Sequence, residues 1–168
     1  MSRLTILGGG PGGYTAAFAA ARAGFDVTLV ERDRLGGTCL NRGCIPTKTL
    51  KASADALELA LRLAEFGITG QGAPAVDPAA VLARKTRVCD VLRGGLEKAC
   101  ARCKIRLLHG RGTVINARRV DVADAAGTVT TVDTDAVIIA AGSRVLELPG
   151  LPLDHRTVIS SDDALELD

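Results

Sequence analysis

A glycine-rich turn between a short apolar strand and an alanine-rich helix constrains this chain more than any other feature. Leu4-Thr-Ile-Leu7 runs directly into Gly8-Gly-Gly10-Pro-Gly-Gly13, and a helix-forming stretch follows to Ala23. Gly24 stops that helix, and Phe25-Asp-Val-Thr-Leu-Val30 forms a second strand ending on Glu31. The pattern is β-turn-α-β, with Gly8-x-Gly10-x-x-Gly13 at the turn and an acidic residue 18 positions after the last glycine. Each part suits a dinucleotide. Gly8 permits the tight turn, Gly10 lets a pyrophosphate approach the backbone, and Gly13 allows close helix–strand packing. The helix N-terminus attracts the phosphates, and Glu31 can accept from ribose hydroxyls.

A second motif follows at once. Leu35-Gly-Gly-Thr-Cys39-Leu-Asn-Arg-Gly-Cys44-Ile-Pro-Thr-Lys48 places two cysteines five positions apart among glycines and a proline. On one ideal helix that spacing gives roughly 7.5 Å of rise, whereas a disulfide holds its Cα atoms about 4.4–6.8 Å apart. The backbone must leave the helix for the sulfurs to bond, and Gly43 and Pro46 loosen or end regular structure. An accessible, strained pair of this kind is easily reduced, which suits redox chemistry better than a structural role.

The segment Gly8 to Lys48 resembles the flavin-linked pyridine nucleotide-disulfide oxidoreductases, and its cysteine box looks most like the dihydrolipoamide dehydrogenase branch. The resemblance implies that the first fold binds FAD and that a Cys39–Cys44 disulfide packs against the flavin. Electrons would pass from a dithiol such as dihydrolipoamide through the disulfide and FAD to NAD. By the same carry-over Cys39 is the interchange thiol, Cys44 is the thiol facing the flavin, and Lys48 lies near the flavin ring. Gly37 and Thr38, in the box, and Arg32, next to Glu31, join Gly8, Gly10, Gly13 and Glu31 as cofactor-binding candidates. Leu40 and Ile45 lean towards dihydrolipoamide. Glutathione and mercuric reductases share the machinery but typically carry Val after the first cysteine.

Length sets the scope of that expectation. The chain has 168 residues, 47% of them hydrophobic, enough for one domain with a real core. Full-length members of the family run to well over twice this length, adding an NAD fold and a dimer-interface domain with a histidine–glutamate pair. No second GxGxxG occurs here, and His109 and His155 lie outside any His-x-x-x-x-Glu arrangement. The expected architecture is an incomplete Rossmann-type FAD-binding domain over residues 1–150. Residues 151–168 would form a poorly ordered boundary tail towards an NAD domain. The parent is expected to be a cytoplasmic homodimer able to meet a lipoyl carrier domain, and the isolated chain to lack turnover. It would alternatively be a dinucleotide-binding module without turnover.

The remaining pattern fits a three-layer α/β fold. Leu50, Leu57, Leu61 and Ala64 suggest a helix leading away from the cysteine box, and a glycine-rich loop covers 67–74. Asp77-Pro78 is a good helix start. A long helix follows with Val81, Val88, Leu92, Leu96 and Ala99 on one face, and Gly94-Gly95 is a candidate bend or break. These two helices form the excursion carrying the cysteines. After Ile105 the period becomes two. Strands at Leu4, Val27, Leu107 and Val137 are expected to build a mostly parallel sheet, with a β-meander from Thr113 to Val132 across it. Ala136-Val-Ile-Ile-Ala-Ala141-Gly142-Ser143 reads as a buried strand ending in a tight turn.

In the family that strand end reads Ala-Thr-Gly-Ser and contacts FAD, which makes Ala141, Gly142 and Ser143 candidates; Ala141 lacks the hydroxyl. Gly110-Arg-Gly112 matches the position where backbone meets adenine, which makes Gly112 a candidate. The plainer reading of both places is an ordinary turn. The family's FAD fold takes its last strand from far downstream, so one sheet edge is expected to stay open.

Charge excludes little beyond nucleic acid. The net is +2 from 21 basic and 19 acidic residues, with one Tyr, three Phe and no Trp to interleave with the cations. Arg32, Arg34, Arg42, Lys48 and Lys51 gather near the motifs, either to attract phosphates or an acidic carrier or as a solvated surface. No apolar run of membrane-spanning length occurs. Five cysteines are too few for a disulfide scaffold. Cys100-Ala-Arg-Cys103 and Cys89 read as ordinary helix cysteines, with a second redox or metal role for the CxxC pair as the alternative. No metal is otherwise expected.

Overall fold

Arg3–Leu7 (β1) forms the centre of a sheet because its apolar residues are buried on both faces, as parallel strands require. The computed structural model describes residues 1–70 and 72–167. Chain contacts divide them into two units, Met1–Asn41 with Leu92–Arg144, and Arg42–Val91 with Val145 onward.

In the first unit β1 is followed by Pro11–Arg22 (α1) and Asp26–Glu31 (β2). Gly37–Arg42 (α2), Cys44–Leu61 (α3) and Pro78–Arg102 (α4) come next in the chain. Then follow strands Arg106–His109 (β3), Arg111–Asn116 (β4), Arg119–Ala123 (β5), Val129–Asp133 (β6) and Ala136–Ile139 (β7), and a last short helix Ser161–Ala164 (α5). One sheet has the order β3-β2-β1-β7, every pair parallel, and the other is the antiparallel meander β4-β5-β6. This is the three-layer α/β fold expected.

The pleat divides the core. Leu4 and Ile6 of β1, with Val27 and Leu29 of β2, meet Ala17 and Phe18 of α1 and Leu96 and Cys100 of α4. On the other face Leu7 and Val30 meet Val120, Val122 and Val132 of the meander. Alternate residues on neighbouring strands thus feed two separate cores.

The expectations for β7 and α4 need correction. The apolar run of β7 is not buried: it lies at the sheet edge, with Ile138 37% and Ile139 72% exposed. α4 does not break at Gly94-Gly95 but runs through it as one helix. Two glycines cost about 1 kcal/mol each, and Leu96 and Cys100, anchored in the core just beyond them, hold the helix together. The buried stripe of α4 also differs, since Leu92 is exposed while Lys85 and Cys89 are buried.

In the second unit α3 is mostly exposed, Leu61 included; Pro46 and Thr49 are buried, and Ile45, Leu50, Ser53, Leu57 and Ala60 are half-buried. Leu63–Phe66 continues it as a 3-10 turn closed by Gly67. Gln71, in the glycine-rich loop, and Asp168 lie outside the described residues. Asp77 caps α4, its Oδ1 accepting from the Ala80 N–H at 3.0 Å. Arg84 donates to the Thr49 carbonyl of α3.

The tail is more regular than expected. Asp154 accepts three backbone N–H groups, and Ser160 and Asp163 form a reciprocal capping box at α5. The buried Lys85 ammonium donates to the Leu165 carbonyl at 2.7 Å and pairs with Glu166. Among the described residues no helix is long and apolar enough to cross a membrane.

Candidate cofactor and dithiol site

β1 is the strand at which the sheet order reverses, since β2 and β3 extend to one side and β7 to the other. Ligands of open α/β sheets bind beyond the carboxyl ends of the strands at such a point. The turn after β1 and the first turn of α1 hold the three motif glycines there. Gly8 has φ +105°, and a Cβ on it would overlap the Ala140 carbonyl oxygen and come within 3.1 Å of the Ala141 Cα. A Cβ on Gly13 would overlap the Gly8 carbonyl oxygen. The protein's own packing therefore demands glycine at both positions.

Gly10 is different. It caps α1 in extended backbone, φ −77° and ψ −175°, and a Cβ there would meet only the Gly37 Cα, at an ordinary 3.5 Å. Nothing in the fold forbids a side chain at Gly10. The bare backbone leaves a cradle at the start of α1, whose first N–H groups lack helical acceptors.

Glu31 closes this loop. Its buried carboxylate accepts from the Gly9 N–H at 2.7 Å and from the Asp33 N–H at 2.8 Å. Each oxygen keeps a second lone pair for a ribose hydroxyl. Arg32, next in the chain, is exposed. His109 stands opposite Glu31 in register, and the Gly110 N–H donates to the Glu31 carbonyl. Gly112 lies on β4 where a Cβ would come 2.6 Å from Leu7 Cδ2. Its missing side chain is what lets the meander pack on the sheet. Ala141, Gly142 and Ser143 follow β7 and are exposed, with Gly142 at φ +73° and no atoms near its Cβ position.

The start of the cysteine box, Leu35 to Gly37, runs against the same loop. Leu35 is fully buried, and the Gly36 N–H donates to the Gly9 carbonyl at 2.8 Å. A Cβ on Gly37 would come 2.6 Å from the Gly10 Cα. Thr38 is exposed, and Cys39 is half-buried on α2. Asn41 lies in the same motif. Its amide nitrogen reaches the carbonyls of Gly37, Arg34 and Leu35 at 2.9–3.2 Å, and its oxygen accepts from Arg93. In the sequence only its place in Gly36-Gly-Thr-Cys-Leu-Asn41 marks Asn41, and nothing there points to Arg93.

Regular helix is interrupted between the cysteines at Gly43, φ −149° and ψ −111°, where the spacing argument required a departure. In the second unit Cys44 opens α3 and is exposed, with Lys48 one turn along the same helix, also exposed. All five cysteines are described, and none is in a disulfide, so the pair stands as a dithiol. Cys100 is a core residue whose thiol is pushed up by burial and by the nearby charges of Cys103 and Glu97. Among the described residues no three His, Cys, Asp or Glu side chains gather as a metal would need.

The structure thus brings Gly8, Gly10, Gly13, Glu31, Gly37 and Ala141 to one end of one sheet. Cys44 and Lys48 belong to the other unit, on the helix that continues from the box.

The family model for pyridine nucleotide-disulphide oxidoreductases matches residues 2–168. The dihydrolipoyl dehydrogenase of Haloferax volcanii is 41% identical over 170 residues, covering 99% of this chain and 35% of that protein. That of Bacillus subtilis is 39% identical over 165 residues, covering 98% and 36%. The chain therefore spans about a third of the length of the curated relatives it matches. The crystal structure of LpdA from Mycobacterium tuberculosis superposes with TM-score 0.90 at 26% identity, over all of this chain and 38% of that one. The HOCl-induced flavoprotein disulfide reductase RclA from Escherichia coli gives TM-score 0.76 at 27% identity, over 98% and 34%. The chain belongs to the pyridine nucleotide-disulphide oxidoreductase family.

Proposed function

We propose that this chain is the FAD-binding and redox-dithiol portion of a dihydrolipoamide dehydrogenase-like flavoenzyme, which carries an electron pair from a dithiol to NAD. The single observation supporting cofactor binding most strongly is the cradle at Gly10. The fold needs glycine at Gly8 and Gly13 but leaves Gly10 open, as a loop shaped for a pyrophosphate would. Flavin, when bound, supplies a two-electron acceptor. The chain's own groups hold it: α1 N–H groups for the phosphates, Glu31 for the ribose, the Gly110–Gly112 turn for the adenine end, and the Ala141–Ser143 loop. Arg32, Gly37 and Thr38 line the approach, and Lys48 supplies a cation for the flavin ring.

In this reading Cys39 is the interchange sulfur: a thiolate of the dithiol substrate attacks it in the oxidised Cys39–Cys44 pair, forming a mixed disulfide and releasing Cys44 as the thiolate on the flavin side. Domain limits of 1–150 for the cofactor fold and 151–168 for the connection onward, and a homodimeric parent, belong to the same proposal. So do a lipoyl carrier as partner and a cytoplasmic setting. Leu40 and Ile45 favour dihydrolipoamide over glutathione as the parent's substrate. The 168 residues hold one GxGxxG, so the chain alone binds flavin without reducing NAD. Retention of about one flavin per chain after mixing with FAD and desalting, without steady-state NAD reduction by dihydrolipoamide, supports this reading. Turnover by the pure chain, or no flavin binding at any FAD concentration, contradicts it.

A further inference from the structure

The cysteine box is held from outside itself. α2 has only six residues, too short to keep its place by helix hydrogen bonds alone. Its turn is built on Gly36 and Gly37, both with positive φ, which side chains cannot stiffen. Asn41 compensates by reaching back to the carbonyls of Arg34, Leu35 and Gly37, so that one side chain ties the entry of the box to its first helical residue. An asparagine amide can swing, and here its oxygen is gripped by a guanidinium. Arg93 of α4 donates through Nε at 3.2 Å and Nη2 at 3.0 Å. Gly37, at the end of this chain of bonds, sits against the Gly10 Cα.

We propose that Arg93 and Asn41 form a positioning clamp, through which α4 sets the Gly36–Gly37 turn against the phosphate loop and fixes the presentation of Cys39. The fork of Arg93 orients the amide so that nitrogen, not oxygen, faces the three carbonyls. A flipped amide would set oxygen against oxygen at all of them. The clamp therefore acts on two properties together: the exposure of the Cys39 thiol and the width of the cradle at Gly10. Its second effect rests on the reading that this cradle takes FAD; its first does not.

The test compares the full chain with Arg93→Met, Arg93→Lys, Asn41→Ala and the double variant. Iodoacetamide alkylation of each cysteine is followed by peptide mass spectrometry, alongside FAD titration by flavin fluorescence. Losing a charge-assisted hydrogen bond shifts an equilibrium by about ten-fold or more, so Cys39 in Arg93→Met is expected to react about five- to ten-fold faster. Cys44 and Cys103, both exposed, serve as internal controls and should stay within about two-fold of their rates. Arg93→Lys, which keeps one donor but not the fork, should fall between. Because Arg93 acts through Asn41, the double variant should match Asn41→Ala alone.

An unchanged Cys39 rate in both Arg93→Met and Asn41→Ala overturns the clamp. So does strict additivity, or equal acceleration at all three cysteines, which would mean general loosening. FAD affinity should fall in step with the Cys39 change. If the parent chain binds no FAD, the cofactor reading fails while the alkylation result still decides the clamp.

Discussion

A methyl group placed at Gly10 distinguishes a glycine kept for the fold from one kept for a ligand. In Gly10→Ala the new Cβ meets only the Gly37 Cα at 3.5 Å, and the extended backbone there is one alanine adopts freely. Reduced unfolded-state entropy favours alanine by about 0.4–1 kcal/mol, and poorer N-capping opposes it by a similar amount. Net stability should stay within about 1 kcal/mol, or about 4 °C in Tm for a domain of this size.

Gly13→Ala is the contrast. Its Cβ overlaps the Gly8 carbonyl oxygen, backbone that cannot swing aside, and overpacking of that kind costs about 1–3 kcal/mol or more. For FAD the order reverses in meaning. A methyl at Gly10 displaces the phosphate from an N–H donor, a charge-assisted bond contributing about 1.5–3 kcal/mol, hence about ten- to hundred-fold in Kd. The assay is thermal unfolding of both variants without cofactor, followed by FAD titration of Gly10→Ala. An unchanged Kd for Gly10→Ala would refute the phosphate assignment. A Tm loss as large as that of Gly13→Ala would show that the Gly10 position is occupied by protein rather than open to a ligand.

Other predictions concern the second unit and the thiols. Lys85→Met should lower stability by about 1–3 kcal/mol, because it orphans the buried Leu165 carbonyl. Glu166→Gln, at an exposed carboxylate, should change it by less than about 1 kcal/mol in chemical denaturation. Asp163, which accepts from the Ser160 N–H and hydroxyl and from His155, is held down to about 2 from an ordinary 3.8. A depressed carboxylate stabilises above its unfolded pKa, so the α5 cap should persist above pH 4 and be lost as pH falls from about 4 to 2, followed by NMR of Asp163. With Ellman's reagent near neutral pH, Cys44 and Cys103 should react first and Cys100 last, since Cys100 is buried and its thiol raised. Early labelling of Cys100 in folded protein would contradict its place in the core.

The phosphate loop and the sheet were legible because their signals are local. A strand, a turn with glycines at fixed offsets and a helix specify each other within a few tens of residues, and Glu31 falls at the end of the second strand by count alone. The meander showed as a change of period. What stayed hidden was set by distant contacts. Ile138 and Ile139 read as buried because apolar runs carry no record of which strand ends a sheet. Gly94-Gly95 read as a break because propensity omits the core contacts of Leu96 and Cys100. Lys85 is buried although a charged residue does not read as part of an apolar stripe. Its partner, the Leu165 carbonyl, is 80 positions away. Asn41 and Arg93 are 52 positions apart, and no pattern in the sequence pairs them.

The most direct test of the cofactor and dithiol assignment is the visible absorption spectrum of the FAD-loaded chain during mild reduction, in the parent and in Cys39→Ser and Cys44→Ser. A long-wavelength charge-transfer band that persists in Cys39→Ser and vanishes in Cys44→Ser is the predicted result, because only the Cys44 thiolate should face the flavin. Bound flavin with no such band, or a band indifferent to Cys44, would contradict the account.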